Sequence, residues 1–228
     1  MKKSIAIDGP AGAGKSTIAK KLAKKLNYIY VDTGAMYRAM ALYFIRKGIL
    51  KEEEEISRAC EEAKVSIQYI DREQVVLLNG ENVNHLIRTE EVGNMASISS
   101  ANKEVRERLL KLQREMAKKE NVVMDGRDIG TKVLPDANVK IYLTASVFVR
   151  AKRRYNELKE KGEVSSLDAI ELDIIERDRR DMTREISPLK QAKDAILIDS
   201  SHMTVEQVVQ KIIEICKQKN GEEKKEWR

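Results

Sequence analysis

The chain has 228 residues, 35% of them charged and 42% hydrophobic, enough for one full core and short for two independent domains, so a single α/β unit carrying insertions is expected. No apolar run approaches a membrane span and the N-terminus lacks a signal peptide's apolar stretch, which predicts a cytoplasmic protein with no membrane partner. The net charge of +6 invites a nucleic-acid partner, but the two signs are mixed along the chain and aromatics reach only 4%, too few for base-stacking platforms, so none is expected.

Ser4 to Asp8 reads as a short buried strand. Directly after it, Gly9-Pro10-Ala11-Gly12-Ala13-Gly14-Lys15-Ser16 fits the phosphate loop G-x-x-x-x-G-K-[ST], and Ile18 to Ala23 continues as helix. Glycines let such a backbone wrap a polyphosphate with its N–H groups turned inward, and the helix adds the positive end of its dipole. A nucleoside triphosphate is therefore the expected ligand. Lys15 is placed for its β and γ phosphates, and Ser16 or Thr17 for a hydroxyl to Mg²⁺. The dinucleotide pattern G-x-G-x-x-G is absent, because the third position after Gly14 is Thr17. A second strand, Ile29 to Asp32, runs into Asp32-Thr33-Gly34-Ala35-Met36-Tyr37-Arg38, with a helix beginning near Ala35. Arg38 lies about one turn beyond Thr33, at the sheet's carboxyl edge, where it can face a phosphate.

Different patterning follows. Val65 to Ile70 and Val75 to Leu78 flank an Asp-Arg turn, and Asn79-Gly80 is a hairpin signal leading into Glu81 to Ile87, which predicts a small antiparallel sheet. Helix restarts behind an N-cap at Thr89 and runs, with one or two breaks, to about Lys118. The third strand, Val122 to Asp125, ends in Asp125-Gly126-Arg127-Asp128-Ile129-Gly130. An acidic residue at the carboxyl end of a buried strand lies where open α/β sheets bind ligands, so Asp125 is a candidate to hold Mg²⁺ through water. Arg127 suits a phosphate and Asp128 an amine or hydroxyl donor; an Arg/Asp pair saturating a tight glycine turn reads the same residues equally well. Val139 to Leu143 is the fourth strand, Ser146 to Ser187 is helical and densely charged, and Ala195 to Asp199 is the fifth strand. Arg177, Asp181 and Arg184 extend the stripe of Ile170 and Ile174, and polar residues continuing a core-facing stripe need a partner, here a polyanion. The last helix carries Val205, Val208, Val209, Ile212, Ile213 and Cys216 on one face behind a Thr204-Val205-Glu206-Gln207 capping box, and 219–228 reads as a frayed tail. Neither Cys60 and Cys216 nor His85 and His202 have metal-ligand spacing.

Taken in order, the phosphate loop, Asp32-Thr-Gly-Ala-Met-Tyr-Arg38, Ile87-Arg-Thr-Glu-Glu-Val92, Asp125-Gly-Arg-Asp-Ile-Gly130 and Arg177-Asp-Arg-Arg-Asp181 closely resemble the bacterial cytidylate kinases, from Ile5 to about Ile215. The resemblance implies a P-loop nucleoside-monophosphate kinase fold: a single kinase domain over 1–228 whose five-stranded parallel sheet carries helices on both faces. It further implies a monophosphate-binding insert near 62–100, a helical lid near 146–187, and a monomer. It implies Mg-dependent transfer from ATP to CMP or dCMP, giving CDP or dCDP in pyrimidine nucleotide metabolism. By position, Arg38, Arg127 and Arg184 resemble the arginines around the acceptor phosphate, Arg177 and Asp181 the residues near the sugar and its phosphate, and Ser97, Arg106 and Asp128 those that recognise the base. Cytosine's exocyclic amine beside ring acceptors suits such a set of acceptor and donor side chains. Two other readings share the phosphate loop, a kinase acting on a metabolite hydroxyl and a nucleic-acid-stimulated ATPase. The first needs an acidic base and has less use for so many arginines.

Overall fold

The computed structural model describes residues 2–49, 52–160 and 162–219, so the expected tail lies outside them apart from Lys219. In chain order the elements are β1 (Ser4–Asp8), α1 (Lys15–Leu26), β2 (Ile29–Asp32), α2 (Thr33–Arg46), α3 (Glu53–Glu62), β3 (Val65–Ile70), β4 (Glu73–Leu78) and β5 (Glu81–Asn82). Then come α4 (Glu90–Ser99), α5 (Lys103–Lys119), β6 (Val122–Gly126), a π-helical turn (Ile129–Val133), β7 (Val139–Thr144), α6 (Val147–Glu160), α7 (Leu167–Thr183), β8 (Ile196–Asp199) and α8 (Val205–Lys219).

The apolar strands pair in parallel in the order β2-β6-β1-β7-β8. Successive side chains of a strand point to opposite faces, so the central strands β1 and β6 feed two cores. Ile5 and Ile7 of β1 and Val123 of β6 join Ile18 and Leu22 of α1 and Val209 and Ile212 of α8 on one face. Ala6, Val31 and Met124 meet Met36, Met40 and Phe44 of α2 and Leu109 of α5 on the other. The register sets Asp8 beside Gly126 and both Ile7 and Asp32 beside Asp125, so three strands deliver their carboxyl ends to one place.

The expected antiparallel sheet is β3-β4-β5. Both of its turns put two consecutive residues at positive φ, Asp71 and Arg72 (51° and 65°) and Asn79 and Gly80 (50° and 87°), the backbone that a tight two-residue hairpin requires. Its third strand is shorter than expected, ending at Asn82 rather than Ile87. The reason is Asn84, whose side chain accepts from Val76 N–H (3.0 Å) and donates to the Gln74 carbonyl (2.9 Å), taking the strand's place along β4. Beyond it the chain coils to bury Val83 and Ile87. Thr89 and Asn102 cap α4 and α5, accepting from Val92 and Val105, and so divide the long helical stretch. At α8, Thr204 and Gln207 exchange side-chain and backbone bonds as a capping box (2.8 and 3.2 Å). Helices α6 and α7 form a hairpin with a small cluster of their own, Ala151, Leu158, Ile170 and Ile174.

Candidate active site

The phosphate loop leaves β1 through Gly9, where a side chain's first carbon would stand 1.9 Å from the Leu143 carbonyl oxygen, so only glycine passes. It ends at Gly14, left-handed at φ 84°, from which α1 starts with neither a side-chain cap nor an acidic residue in its first turn. The helix therefore presents uncapped N–H groups to an anion. Lys15 is buried and donates to the Pro10 carbonyl (2.7 Å). Burial first, then the Arg127 charge, pushes its ammonium well below the ordinary value, against the pull of Asp125 and Asp181. Ser16 donates to Asp125 Oδ2 (2.9 Å) and Tyr30 donates its phenol to Oδ1 (3.0 Å). Burial, with Asp32 nearby, pushes the Asp125 carboxyl up to about 7 despite Lys15 and these two donors. Thr33 donates to the Asp125 carbonyl (2.7 Å), locking the starts of α2 and the β6 loop together.

Arginines converge on the far side of the loop. Arg127 Nε meets Asp181 Oδ2 at 2.7 Å, and Arg184 stands 3.6 Å from Asp181 Oδ1. The Arg177 Nε is buried without a hydrogen-bond partner. Arg38 donates to the Ile87 and Thr89 carbonyls (3.1 and 3.3 Å); burial and the Arg177 and Arg88 charges lower its guanidinium to about 10. Burial and mutual repulsion lower the Arg38, Arg177 and Arg184 guanidinium groups even though Asp32, Asp173, Asp181 and Asp128 stand near them, so this side of the cleft is suited to a polyanion.

At the other end Arg106 pairs with Asp128 Oδ2, each side chain 7% exposed, and also donates to the Ser100 carbonyl (2.9 Å). The Arg106 guanidinium lies 5.4 Å from the Tyr37 ring centre. Ser97 Oγ, buried and without a partner, belongs to the same wall. A single cleft of about 630 Å³ is lined by Ala11 to Thr17, Thr33, Arg38, Ser97, Arg106, Asp125, Arg127, Asp128, Arg177, Asp181 and Arg184. Gly9 and Pro10 lie behind its wall, shaping the loop.

Several participants, among them Arg150 and Arg153 of the densely charged helical region, had no role assigned from the sequence. Asp178 accepts from Ala11 N–H (3.0 Å) and pairs with Arg150 (2.6 Å), which donates to the Ala11 carbonyl (2.7 Å); together they clasp α7 onto the phosphate loop. Arg88 pairs with Asp32 (2.6 Å), and Asp32 also caps α2 by accepting from Ala35 N–H. Asp178 stands inside the Arg177 to Asp181 motif, but its partners are tertiary and no spacing announces them. Arg153 donates to the Ser200 carbonyl (2.8 Å) on the donor side of the cleft. Among the described residues no group of three or more His, Cys, Asp and Glu forms a metal cluster, and no helix is long and apolar enough to cross a membrane.

A parallel sheet with a phosphate loop at its carboxyl edge, opening into a cleft where a second set of cations faces that loop, defines a P-loop kinase for a phosphorylated acceptor. A solved structure of an uncharacterized protein from Eubacterium ventriosum shares the fold, with a TM-score of 0.54 at 15% identity over 94% of this chain and 98% of that one. The match to the cytidylate kinase family spans residues 5–218. A cytidylate kinase of Caldicellulosiruptor saccharolyticus is 54% identical over 94% of this chain and 96% of its own, and one of Bacillus cereus is 49% identical over 93% and 95%. The chain belongs to the cytidylate kinase family and phosphorylates CMP or dCMP with ATP as donor.

Proposed function

We propose that the cleft divides this reaction among its residues as follows. The phosphate loop Gly9 to Thr17, α1's N-terminus and Lys15 hold the ATP β and γ phosphates. Arg38, Arg127 and Arg184 hold the acceptor phosphate, with Arg177 and Asp181 beside it and the sugar, and Ser97, Arg106 and Asp128 read the cytosine. An oxygen of the acceptor phosphate attacks the γ phosphorus, the bond to the β-bridging oxygen breaks, and ADP leaves. No side chain need act as a base, because the nucleophile is already an anion; the cations lower the barrier by positioning and by stabilising charge on the transferring group. Lys15, held at 2.7 Å by a neutral carbonyl, is poised to exchange that partner for a phosphate.

The donor set fits Mg²⁺, a hard cation that takes oxygen ligands and keeps several waters. Ser16 donates a hydrogen bond to Asp125, which leaves its oxygen's lone pairs free for the ion; Ser16 would therefore be the direct ligand, ahead of Thr17, with Asp125 acting through water. When bound, the ion neutralises charge between the β and γ phosphates. The reading makes 146–187 a lid and 62–100 the acceptor-binding insert of a single kinase domain acting as a cytoplasmic monomer. A sedimentation mass well above 26.0 kDa would remove the monomer.

The observation that carries the assignment is the buried Arg106–Asp128 pair beside an orphaned Ser97 hydroxyl, in one cleft with Lys15. Uracil reverses cytosine's amine and would set a carbonyl against an acceptor, a mismatch of about 1–3 kcal/mol. ADP release should thus be strong with CMP and dCMP, weaker with UMP, and absent with a sugar acid or single-stranded nucleic acid. Asp128→Asn should cut the preference for CMP over UMP in kcat/KM by about tenfold or more. An unchanged preference removes Asp128 from base reading.

A further inference from the structure

Asp8, the last residue of β1, has no place in the mechanism above, yet it is one of the most constrained polar groups in the molecule. It is 5% exposed, and its two carboxylate oxygens accept from two consecutive amides, Ile129 N–H (2.8 Å) and Gly130 N–H (2.7 Å). Those amides directly follow Asp128 and open the π-helical turn, which Asp128 begins by accepting from Lys132 and Val133 through its carbonyl. Asp128 itself sits at φ −139° and ψ 24°, outside helix and strand, so nothing in regular secondary structure holds its direction. On the other side of Asp8 the chain passes through Gly9, wedged against Leu143, into the phosphate loop.

We propose that Asp8 is a positioning residue for acceptor-base selection: by clamping the amides of Ile129 and Gly130 to the root of the phosphate loop, its carboxylate aims Asp128 at Arg106 and the base. A simple cap would satisfy the turn's N–H groups equally well, but it would have no need to be charged, buried and rooted in the donor site. Gly130 fits the same scheme. A methyl there would touch Asp8 Oδ2 at 3.4 Å and press on Lys140 Cδ at 3.2 Å, so glycine lets the amide approach the carboxylate without displacing Lys140. The charged and titratable groups around Asp8 are Asp128 beyond β6, Lys15 at the start of α1, and Lys140 and Tyr142 of β7. Burial pushes the Asp8 carboxyl up to about 6, against the lowering effect of its two amide donors. The clamp therefore weakens on acidification below that value, since a protonated oxygen accepts less strongly than a charged one.

The inference rests on Asp128 and Arg106 reading the base, so Asp8→Asn and Asp128→Asn are assayed together. Asn at position 8 keeps the shape but offers one acceptor to two amides. The kcat/KM ratio of CMP to UMP is expected to fall about tenfold, with the KM for ATP changed less than about twofold. Equal losses for CMP and UMP in Asp8→Asn, alongside a lowered ratio in Asp128→Asn, overturn this proposal alone. An unchanged ratio in Asp128→Asn overturns the base assignment and this proposal with it. Should Asp8→Asn not fold, the wild-type enzyme serves. Its Ile129 and Gly130 amide resonances should titrate together near 6, and the CMP to UMP ratio, in which the acceptor phosphates' own titration cancels, should drop over the same interval. A ratio that stays flat while those amides titrate overturns the proposal.

Discussion

A single carboxylate, Asp181, faces three guanidinium groups. It accepts from Arg127 at 2.7 Å, stands 3.6 Å from Arg184, and feels the charge of Arg177. Burial alone would raise its carboxyl, but Arg127, through charge and hydrogen bond, outweighs burial with help from Arg184 and Arg177, and holds it below the usual 3.8. A depressed carboxyl contributes stability that is present above the unfolded-state value and is lost as the pH falls through the lower folded-state value. Asp181→Asn should therefore cost about 3 kcal/mol at neutral pH, because Arg127 is left partly buried without its counter-charge. The deficit should shrink as the pH falls below 3.8 and vanish only below the lower folded-state value, where the wild-type carboxyl also takes up its proton. Urea unfolding of both proteins across that range checks it, and a deficit independent of pH would mean the loss is one of shape. Asp181 and Arg127 were legible in the sequence because one continues a helical stripe and the other ends a buried strand. Asp8 and Tyr30 were not: Asp8 bonds residues 121 and 122 positions away, and Tyr30 bonds a residue 95 away, distances at which no local periodicity speaks.

Helix α7 shows what one element adds to its residues. Its inner stripe packs Ile170 and Ile174 against α6, and its next turns carry Asp178 to the phosphate loop and Asp181 to Arg127. Asp178 and Arg150 form a buried pair at 2.6 Å in which both partners also bond Ala11, so the helix is fastened to the phosphate loop through that residue's N–H and carbonyl. Removing one partner of a buried pair costs far more than replacing both with apolar groups. Asp178→Ala is expected to destabilise by about 3 kcal/mol, and adding Arg150→Met should recover part of it, a coupling above about 1 kcal/mol in a double-mutant cycle read by denaturant unfolding. Additive losses would dissolve the clasp. At this scale the parallel strands were readable from short apolar runs, α8 from helical spacing, and both hairpin turns from their residues. The end of β5 was not, because it depends on how Asn84 bonds β4; a break in the helix after Thr89 was expected, but its place was not, because the Asn102 side chain that caps α5 sets it.

For the whole molecule, the contrast between its cores decides what moves. Two large clusters sandwich the parallel sheet, whereas among the described residues α6 and α7 share a cluster of only four buried apolar side chains and otherwise hold to the body largely through ion pairs and carbonyl bonds. Regions with few buried apolar contacts open locally at a fraction of the global free energy. Amides of α6 and α7 are therefore expected to exchange with deuterium long before those of β1, β6 and β7 in the nucleotide-free enzyme. The proposed roles place ATP on the phosphate loop and CMP on the arginines, and α7 reaches both sites, through Asp178 and through Arg177 and Asp181. A ligand bound only by the closed form, at 100 times its Kd, stabilises closure by about 2.7 kcal/mol, or about 100-fold in exchange. ATP and CMP should each slow α7 exchange, and an unreactive ATP analogue with CMP should slow it by more than either alone. If one nucleotide alone gives the full protection, the lid responds to a single site, and Asp178 and Asp181 do not join the two halves of the reaction.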